Sequence, residues 1–208
     1  MKNEKDANYS ATKDGTALDQ HFWNTQWEAK TTGWDIGYAA PAIEEYVKTI
    51  EEKAIVILIP GCGNAYEAEL FVKLGFQNIT LIDIAPKAVE ILQEKFNTTP
   101  QVNVLCADFF QHEGQYDLII EQTFFCALPT SERSNYAKKM SELLTPQGKL
   151  AGLLFNRTFE KQGPPFGGSA SEYRPLFEPF FTIDKMAITD KSIPQRKGTE
   201  LFIEFTKK

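Results

Sequence analysis

From residue 54 onward, short apolar runs alternate with segments whose apolar residues have helical spacing. The first run, 54–59, is rich in β-branched residues, which is typical of a parallel strand buried on both faces. Further strands are predicted at 79–82, 102–106, 117–121 and 149–155. Helices are predicted at 64–74, 86–96 and 131–144, with a turn at 146–148. This alternation predicts a doubly wound α/β sheet that binds a ligand at the carboxyl ends of its first strands.

The residues after 155 have a different pattern. Gly and Pro are concentrated in 156–168, which is therefore predicted to be a loop, and a short helix is predicted at 171–176. Strands are predicted at 181–188 and 200–205, and the polar link between them favours an antiparallel pair. The sequence thus predicts a seven-stranded, mostly parallel sheet with an antiparallel last strand and helices on both faces.

Length and composition limit the possible classes of protein. A chain of 208 residues with 42% hydrophobic residues can form one sizeable core, so 1–208 is predicted to be a single domain. The net charge of −6 favours a small-molecule partner over nucleic acid or an anionic membrane, although it leaves room for a local basic patch. The first residues are polar and the three cysteines form no CxxC pair. We therefore expect a cytoplasmic chain with buried thiols and no signal peptide.

The segment 57–66 runs from a strand through a glycine turn into a helix. Gly61 and Gly63 allow a sharp backbone turn and the close approach of a ligand. Asp83, at the end of the second strand, is placed to accept hydrogen bonds from both hydroxyls of an adenosyl ribose. A dinucleotide site needs a third glycine where the chain has Tyr66, whereas an S-adenosylmethionine site has no pyrophosphate to hold and tolerates the ring.

The third and fourth strands also end in residues suited to a ligand. Asp108 can accept a hydrogen bond from the exocyclic amine of adenine while Phe109 stacks on the base; the alternative is a helix cap beside a core phenylalanine. Glu121 and Gln122 can contact either the cofactor or the second substrate. Phe125 is a candidate wall residue of the second-substrate site, although core packing is the commoner role for such a ring.

Several short motifs together resemble the thiopurine methyltransferase superfamily, in a branch similar to the plant and bacterial halide/thiol methyltransferases. The motifs are FWNTQW at 22–27, TGWDIG at 32–37, PGCG at 60–63, ADFF at 107–110, TFFC at 123–126, GPPF at 163–166 and RKGTE at 196–200. The resemblance extends over about residues 20–206, which is nearly the whole chain. Each motif is common by itself, but their combination and order are specific.

The resemblance implies a Rossmann-like class I methyltransferase fold, with S-adenosylmethionine as methyl donor and S-adenosylhomocysteine as product. It implies that residues 1–50 form a helical cap that closes over the donor. By motif it places these residues in the donor site: Trp23, Trp27, Trp34, Gly61, Asp83, Asp108 and Phe109. Gly63 and Glu121 are added to the predicted donor site because of their positions after the first and fourth strands. A sulfonium cation is attracted to aromatic faces, which suits the tryptophans. The implied acceptor is a thiol, bisulfide or halide, which needs no strong general base because it is already a nucleophile.

The chain departs from the halide/thiol branch at three positions. Gln122 stands where that branch usually has tyrosine, Glu121 replaces an aspartate, and Asn156 stands where that branch often has proline. These positions lie near the implied acceptor pocket, so they affect the choice of acceptor more than the fold or the donor. The candidate acceptor-site residues are Arg196, Gln122 and Phe125, and two other arginines, Arg157 and Arg174, lie in loops expected to border the pocket.

The sequence leaves several alternatives open. The same fold could methylate another small metabolite, such as a thiopurine-like heterocycle or a selenium or tellurium species. A nicotinamide-dependent oxidoreductase is disfavoured by Tyr66, whereas a non-catalytic protein that binds the donor would carry the same motifs. A monomer and a weak dimer are not distinguished, and no metal site is predicted, because the histidines and acidic residues have no ligand spacing.

Overall fold

The described residues, 15–161 and 163–208 of a computed structural model, form a seven-stranded sheet with the order β3-β2-β1-β4-β5-β7-β6. The strands are β1 (Val56–Pro60), β2 (Asn78–Asp83), β3 (Val102–Cys106), β4 (Tyr116–Gln122), β5 (Leu144–Phe155), β6 (Phe181–Ile188) and β7 (Glu200–Lys207). Strands β1 to β5 run parallel, whereas β7 pairs antiparallel with both β5 and β6. This confirms the predicted mostly parallel sheet with an antiparallel last strand. Residues 1–14 of the predicted cap, and Gln162, lie outside the described residues.

The α-helices pack on both faces of this sheet. They are α1 (Gln20–Glu28), α2 (Pro41–Lys48), α3 (Tyr66–Lys73), α4 (Pro86–Lys95), α5 (Arg133–Leu143) and α6 (Ala170–Phe177). The Asp19 carboxylate caps α1 by accepting a 2.9 Å hydrogen bond from the Phe22 N–H. α2 and α4 each begin at a proline, where the missing N–H costs nothing. Within the described residues, none of the helices has the length and apolarity that crossing a membrane requires.

Successive residues of β1 pack into two different cores. Ile57 and Ile59 belong to a cluster with side chains of α2, α3 and α4, whereas Leu58 belongs to a cluster with side chains of α5 and α6. All three residues are at most 2% exposed, as predicted for a strand covered on both faces. β1 pairs with β2 on one side and β4 on the other, so the strand order changes direction at β1. A ligand site is expected at the carboxyl ends of these strands.

The predicted turn at 146–148 does not interrupt the fifth strand. β5 already begins at Leu144, and its register with β4 shifts between Tyr116 and Leu118. Gln147 has a φ of 64°, so the extra residues form a bulge inside the ladder. The turn signal of Pro146 and Gly148 was thus correct about local backbone shape, but the prediction that the strand begins only after it was wrong.

Two smaller expectations also need correction. α5 begins at Arg133 and not at residue 131 as predicted, because a 3₁₀ turn after Pro129 occupies residues 130–132. The cysteines are not all buried: Cys62 and Cys126 are, whereas Cys106 is exposed. Cys106 ends β3, which is the edge strand of the sheet, so no further strand covers it.

Candidate active site

A cavity of about 900 Å³ opens at the carboxyl ends of the central strands. Its walls come from five parts of the chain: α1 with the segment that follows it, the loops after β1 to β3, the segment between β4 and α5, the loop 156–168, and the turn before β7. The predicted residues that line it are Trp23, Trp27, Trp34, Gly61, Gly63, Asp83, Asp108, Phe109 and Arg196. The fold therefore brings together nine side chains or glycines that are far apart in the sequence.

The glycine turn after β1 is shaped by a phenylalanine from the neighbouring loop. Gly61 and Gly63 have φ values of 57° and 52°, in the left-handed region that favours glycine. A Cβ on Gly61 would lie 2.4 Å from Cδ2 of Phe124, so a side chain there would overlap the ring. The space beside Gly61 is thus filled by Phe124, whereas a Cβ on Gly63 would make only ordinary contact with Trp27, at 3.7 Å.

Asp83 joins the end of β2 to this turn. Its Oδ2 accepts a hydrogen bond from the Gly63 N–H at 3.1 Å, and its Oδ1 accepts one from the Ala85 N–H at 2.9 Å. Burial raises the pKa of the Asp83 carboxyl, and the two N–H donors act in the opposite direction. Each carboxylate oxygen keeps a further lone pair, so Asp83 can accept hydrogen bonds from a ligand in the cavity as well.

Three tryptophans form an aromatic wall above the glycine turn. The ring of Trp34 lies edge-on to Trp23 and Trp27, with centroid distances of 5.7 and 6.1 Å. The Trp34 Nε1 would be 3.9 Å from a Cβ on Gly63, so the indole lies directly over the turn. An aromatic wall of this kind suits a cationic ligand.

Asp108 and Phe109 each have two roles in the structure. Asp108 accepts a 2.9 Å hydrogen bond from the Phe110 N–H and caps the 3₁₀ turn Phe109–Gln111. Phe109 is 5% exposed and packs edge-on against Phe124, with ring centroids 5.0 Å apart. Both residues nevertheless line the cavity. Asp108 is thus a cap residue and Phe109 a core residue, and both remain accessible to a ligand in the cavity.

Glu121 lies behind the cavity and does not line it. Its Oε1 accepts hydrogen bonds from the N–H groups of Phe124 and Phe125, at 2.8 and 2.9 Å, and the Tyr136 hydroxyl donates to Oε2. Burial raises the pKa of the Glu121 carboxyl to about 7, although these donors act to lower it. The carboxyl thus holds the loop after β4, and with it the Phe124 ring that fills the space beside Gly61.

Two of the candidate acceptor residues also lie outside the cavity lining. Phe125 is 1% exposed and packs edge-on against Tyr136 and Tyr173, with centroid distances of 5.0 and 5.2 Å. Gln122 lines a separate pocket of about 50 Å³ beside Trp34, and its buried Oε1 has no hydrogen-bond partner among the described residues. Phe125 is therefore a core residue, which was the predicted alternative to a role in the second-substrate site.

The three arginines of the C-terminal part have three different environments. Arg196 lines the cavity, with Nη1 3.3 Å from Glu200 Oε1 and Nη2 donating to the Trp34 carbonyl at 3.1 Å. Arg157 also lines it, with its guanidinium 4.8 Å from the centroid of the Phe159 ring. Arg174 does not: it is exposed and pairs with Glu178, which lies one turn further along the chain. The expectation that Arg174 borders the pocket was wrong.

Sequence reasoning missed a group of residues on the side of the cavity formed by the last strands. These are Phe155, Phe159, Lys161, Pro164, Pro165 and Gln195. The Gly- and Pro-rich composition of 156–168 predicted a loop, but composition alone does not show which loop side chains turn towards a cavity. A polar pair from the start of α5 and the preceding turn, Glu132 and Asn135, carried no motif at all.

The family model for Thiopurine S-methyltransferase (TPMT) matches residues 18–207. The chain belongs to this family. It is 34% identical over 184 residues to an Arabidopsis thaliana protein named "Probable thiol methyltransferase 2", with 86% of this chain and 81% of that relative covered. It is 30% identical over 189 residues to "Thiocyanate methyltransferase 1" from the same plant, with 88% and 83% covered.

Solved structures confirm the fold. The 1,6-didemethyltoxoflavin-N1-methyltransferase of Burkholderia thailandensis superposes with a TM-score of 0.75 at 15% sequence identity, covering 97% of this chain and 92% of that one. At this identity the likeness concerns the fold alone, and it is the class I methyltransferase fold that the sequence predicted. Family membership confirms the predicted enzyme class, an S-adenosylmethionine-dependent methyltransferase. It excludes the nicotinamide-dependent alternative.

Proposed function

We propose that this methyltransferase of the TPMT family transfers the methyl group of S-adenosylmethionine to a small anionic acceptor, a thiolate, bisulfide or halide. The observation that carries the proposal is the distribution of charge along the cavity. Asp83 and Asp108 line it after β2 and β3, and Glu132 adds a carboxylate between β4 and α5. Arg157 and Lys161, which have no ion-pair partner among the described residues, line it in the loop after β5. The relatives named as thiol and thiocyanate methyltransferases support the same class of acceptor.

The residues present fit the donor at the β2 and β3 end of the cavity. Trp23, Trp27 and Trp34 present aromatic surface for a sulfonium cation. Asp83 has lone pairs left for the ribose hydroxyls, and Asp108 has one for the exocyclic amine of adenine. S-adenosylmethionine, when bound, supplies the electrophilic methyl group.

The opposite end of the cavity suits an anion. Arg157 and Lys161 line this end, and neither has an ion-pair partner among the described residues. Arg196, by contrast, already forms an ion pair with the buried Glu200 carboxylate. The unpaired cations can therefore attract an anionic acceptor and orient it towards the donor.

The chain does its chemical work by positioning. A thiolate or halide is already nucleophilic, so no side chain has to remove a proton in the methyl-transfer step. The walls of Phe155, Phe159 and the prolines of the 163–166 motif keep water away from the acceptor. Holding the two reactants in line within one cavity lowers the entropic part of the barrier.

The test is a headspace assay with methyl-labelled donor and iodide, thiocyanate, bisulfide or a small thiol as acceptor. Calorimetry with S-adenosylhomocysteine is run on the same preparation. We expect binding together with a volatile methylated product. Binding without any volatile product would overturn the acceptor class and indicate a larger metabolite, and absence of binding would overturn the donor site itself.

We also propose that residues 1–50 act as the cap of a single domain. The described part of this segment contributes Trp23, Trp27 and Trp34 to the cavity wall, which supports a closing role. A cytoplasmic location remains the prediction made from the sequence.

A further inference from the structure

We propose that Arg196, together with Glu200, is a positioning residue that holds the tryptophan wall over the glycine turn. The sequence made Arg196 a candidate for binding the acceptor, but its contacts assign it to the donor side. The kinetic part of the inference rests on the proposed function. Its structural part can be tested with the protein and S-adenosylhomocysteine alone.

The backbone that carries Arg196 is fixed to the sheet. Its carbonyl accepts hydrogen bonds from the N–H and the hydroxyl of Thr199, at 3.0 and 2.8 Å. The Thr199 carbonyl in turn accepts a 2.8 Å hydrogen bond from the Asn156 N–H, just beyond the end of β5. Glu200 is the first residue of β7 and is paired with Phe155 of β5. Arg196 thus projects from a rigid support.

The side chain of Arg196 connects this support to the tryptophan segment. One guanidinium nitrogen is 3.3 Å from the Glu200 carboxylate, and another donates to the Trp34 carbonyl at 3.1 Å. The side chains of Arg196 and Glu200 are only 14% and 4% exposed. A buried, charge-assisted contact of this kind is stronger than a surface pair, because solvent screens it little. The hydrogen bond to the Trp34 carbonyl joins residues that are 162 positions apart in the sequence.

The residue after Trp34 is held from the other side of the glycine turn. Asp35 accepts hydrogen bonds from the Asn64 amide at 2.6 Å and from the Tyr66 hydroxyl at 3.3 Å. Trp34 is therefore anchored through its own carbonyl to the β7 side and through Asp35 to the start of α3. Loss of the Arg196 anchor removes the hydrogen bond that joins the Trp34 backbone to the β7 side and leaves the Asp35 contacts in place.

The structure also contains a matched control for this pair. Arg174 and Glu178 have the same spacing in sequence, and their charged atoms are 3.1 Å apart. Both side chains are 51% exposed and neither lines the cavity. Removing this pair changes the same number of charges without touching the tryptophan segment.

The experiment compares wild type, Arg196→Gln/Glu200→Gln and Arg174→Gln/Glu178→Gln. The chain's only tryptophans are Trp23, Trp27 and Trp34, so their fluorescence reports directly on the wall. We expect the Arg196/Glu200 variant to show a red-shifted emission and stronger acrylamide quenching. Calorimetry should show S-adenosylhomocysteine binding weaker by about tenfold, the size expected for one lost charge-assisted hydrogen bond. At saturating donor, the KM of the acceptor should stay unchanged. The Arg174/Glu178 variant should match wild type in tryptophan emission, acrylamide quenching, S-adenosylhomocysteine affinity and acceptor KM.

Unchanged tryptophan emission and unchanged donor affinity in the Arg196/Glu200 variant would overturn the inference, and a raised acceptor KM would return Arg196 to the acceptor site. If that variant does not fold, Arg196→Lys serves instead. Lysine keeps the charge beside Glu200 but lacks the planar guanidinium, so it cannot bond the Glu200 carboxylate and the Trp34 carbonyl in the same way. It should still shift the emission and weaken binding, to a smaller extent. Failure of wild type to bind S-adenosylhomocysteine would count against the proposed function, whereas the emission comparison without ligand would still decide the role of Arg196.

Discussion

The two ends of the cavity are built in different ways. At the donor end, Asp83 and Asp108 are bonded to backbone N–H groups next to the strands that carry them, and the glycine turn is locked by Phe124. At the acceptor end, Arg157 and Lys161 are exposed side chains of a loop. The donor end therefore depends on the fold itself, whereas residues at the acceptor end can change without affecting the sheet. This arrangement suits a family whose members bear names with different acceptors.

The strongest expected effect is that of Gly61→Ala, which should lower the stability of the backbone turn at the donor end. The new methyl group would overlap the Phe124 ring and would require a φ of 57°, so the free energy of unfolding should fall by about 2–5 kcal/mol. Gly75→Ala is the matched control, because Gly75 has a φ of 90° but has no neighbour within 4 Å. Denaturant unfolding should show a clearly larger loss for Gly61→Ala; equal losses would mean that the ring adapts.

Glu121 holds the loop after β4 from behind the cavity, and its carboxyl should make stability depend on pH. Its pKa is raised from 4.5 to about 7 in the folded chain, so the native state holds this proton more tightly than the unfolded state. The contribution of this group to stability should therefore be greatest below about pH 4.5 and should be lost as pH rises to about 7, by up to about 3 kcal/mol.

The measurement is the free energy of unfolding between pH 4.5 and 7 for wild type and Glu121→Gln. The variant should lose part of the negative slope, and the buried Asp83 and Glu67, whose pKa values burial also raises, should account for slope that remains. Identical slopes would show that Glu121 does not titrate in this range.

Asp83→Ala should weaken S-adenosylhomocysteine binding by about 1–3 kcal/mol, because charge-assisted hydrogen bonds are lost. Asp117→Ala is the control: Asp117 also bonds backbone, at the Val56 N–H, but it lies near the other ends of the strands. The control should change thermal stability and leave the calorimetric Kd unaltered. An unaltered Kd for Asp83→Ala would mean that the ribose is held elsewhere.

The smallest effect is expected at the acceptor end. Arg157→Gln should raise the KM for an anionic acceptor by about 3–10-fold, since an exposed cation is partly screened by solvent. Its Kd for S-adenosylhomocysteine should stay at the wild-type value, and raising the ionic strength should shrink the difference in KM. A KM that does not move, or one that moves equally for a neutral acceptor, would remove Arg157 from the acceptor site.

The contrast between the two ends also explains which parts could be predicted from the sequence. Asp83 and Asp108 follow apolar strands, and a strand that ends in a carboxylate at a fixed place in the order is a local signal. Arg196 bonds to Trp34 across most of the chain, and no local pattern shows such a contact. The position of Glu121 at the end of β4 predicted contact with either the donor or the acceptor, but the side chain turns towards Tyr136 instead. Strand order predicts which backbone reaches the site, whereas packing decides which way each side chain points.

The reversed direction of β7 has a practical consequence for handling the enzyme. β7 starts at Glu200, beside the cavity, and runs to Lys207, which pairs with Phe181. It therefore carries the chain to the side of the sheet opposite the cavity, where the parallel strands begin. A linker joined after Lys208 would therefore hold the molecule on a support with its opening facing the solution. Immobilised through its last residue, the enzyme should turn over dissolved acceptors as it does when free.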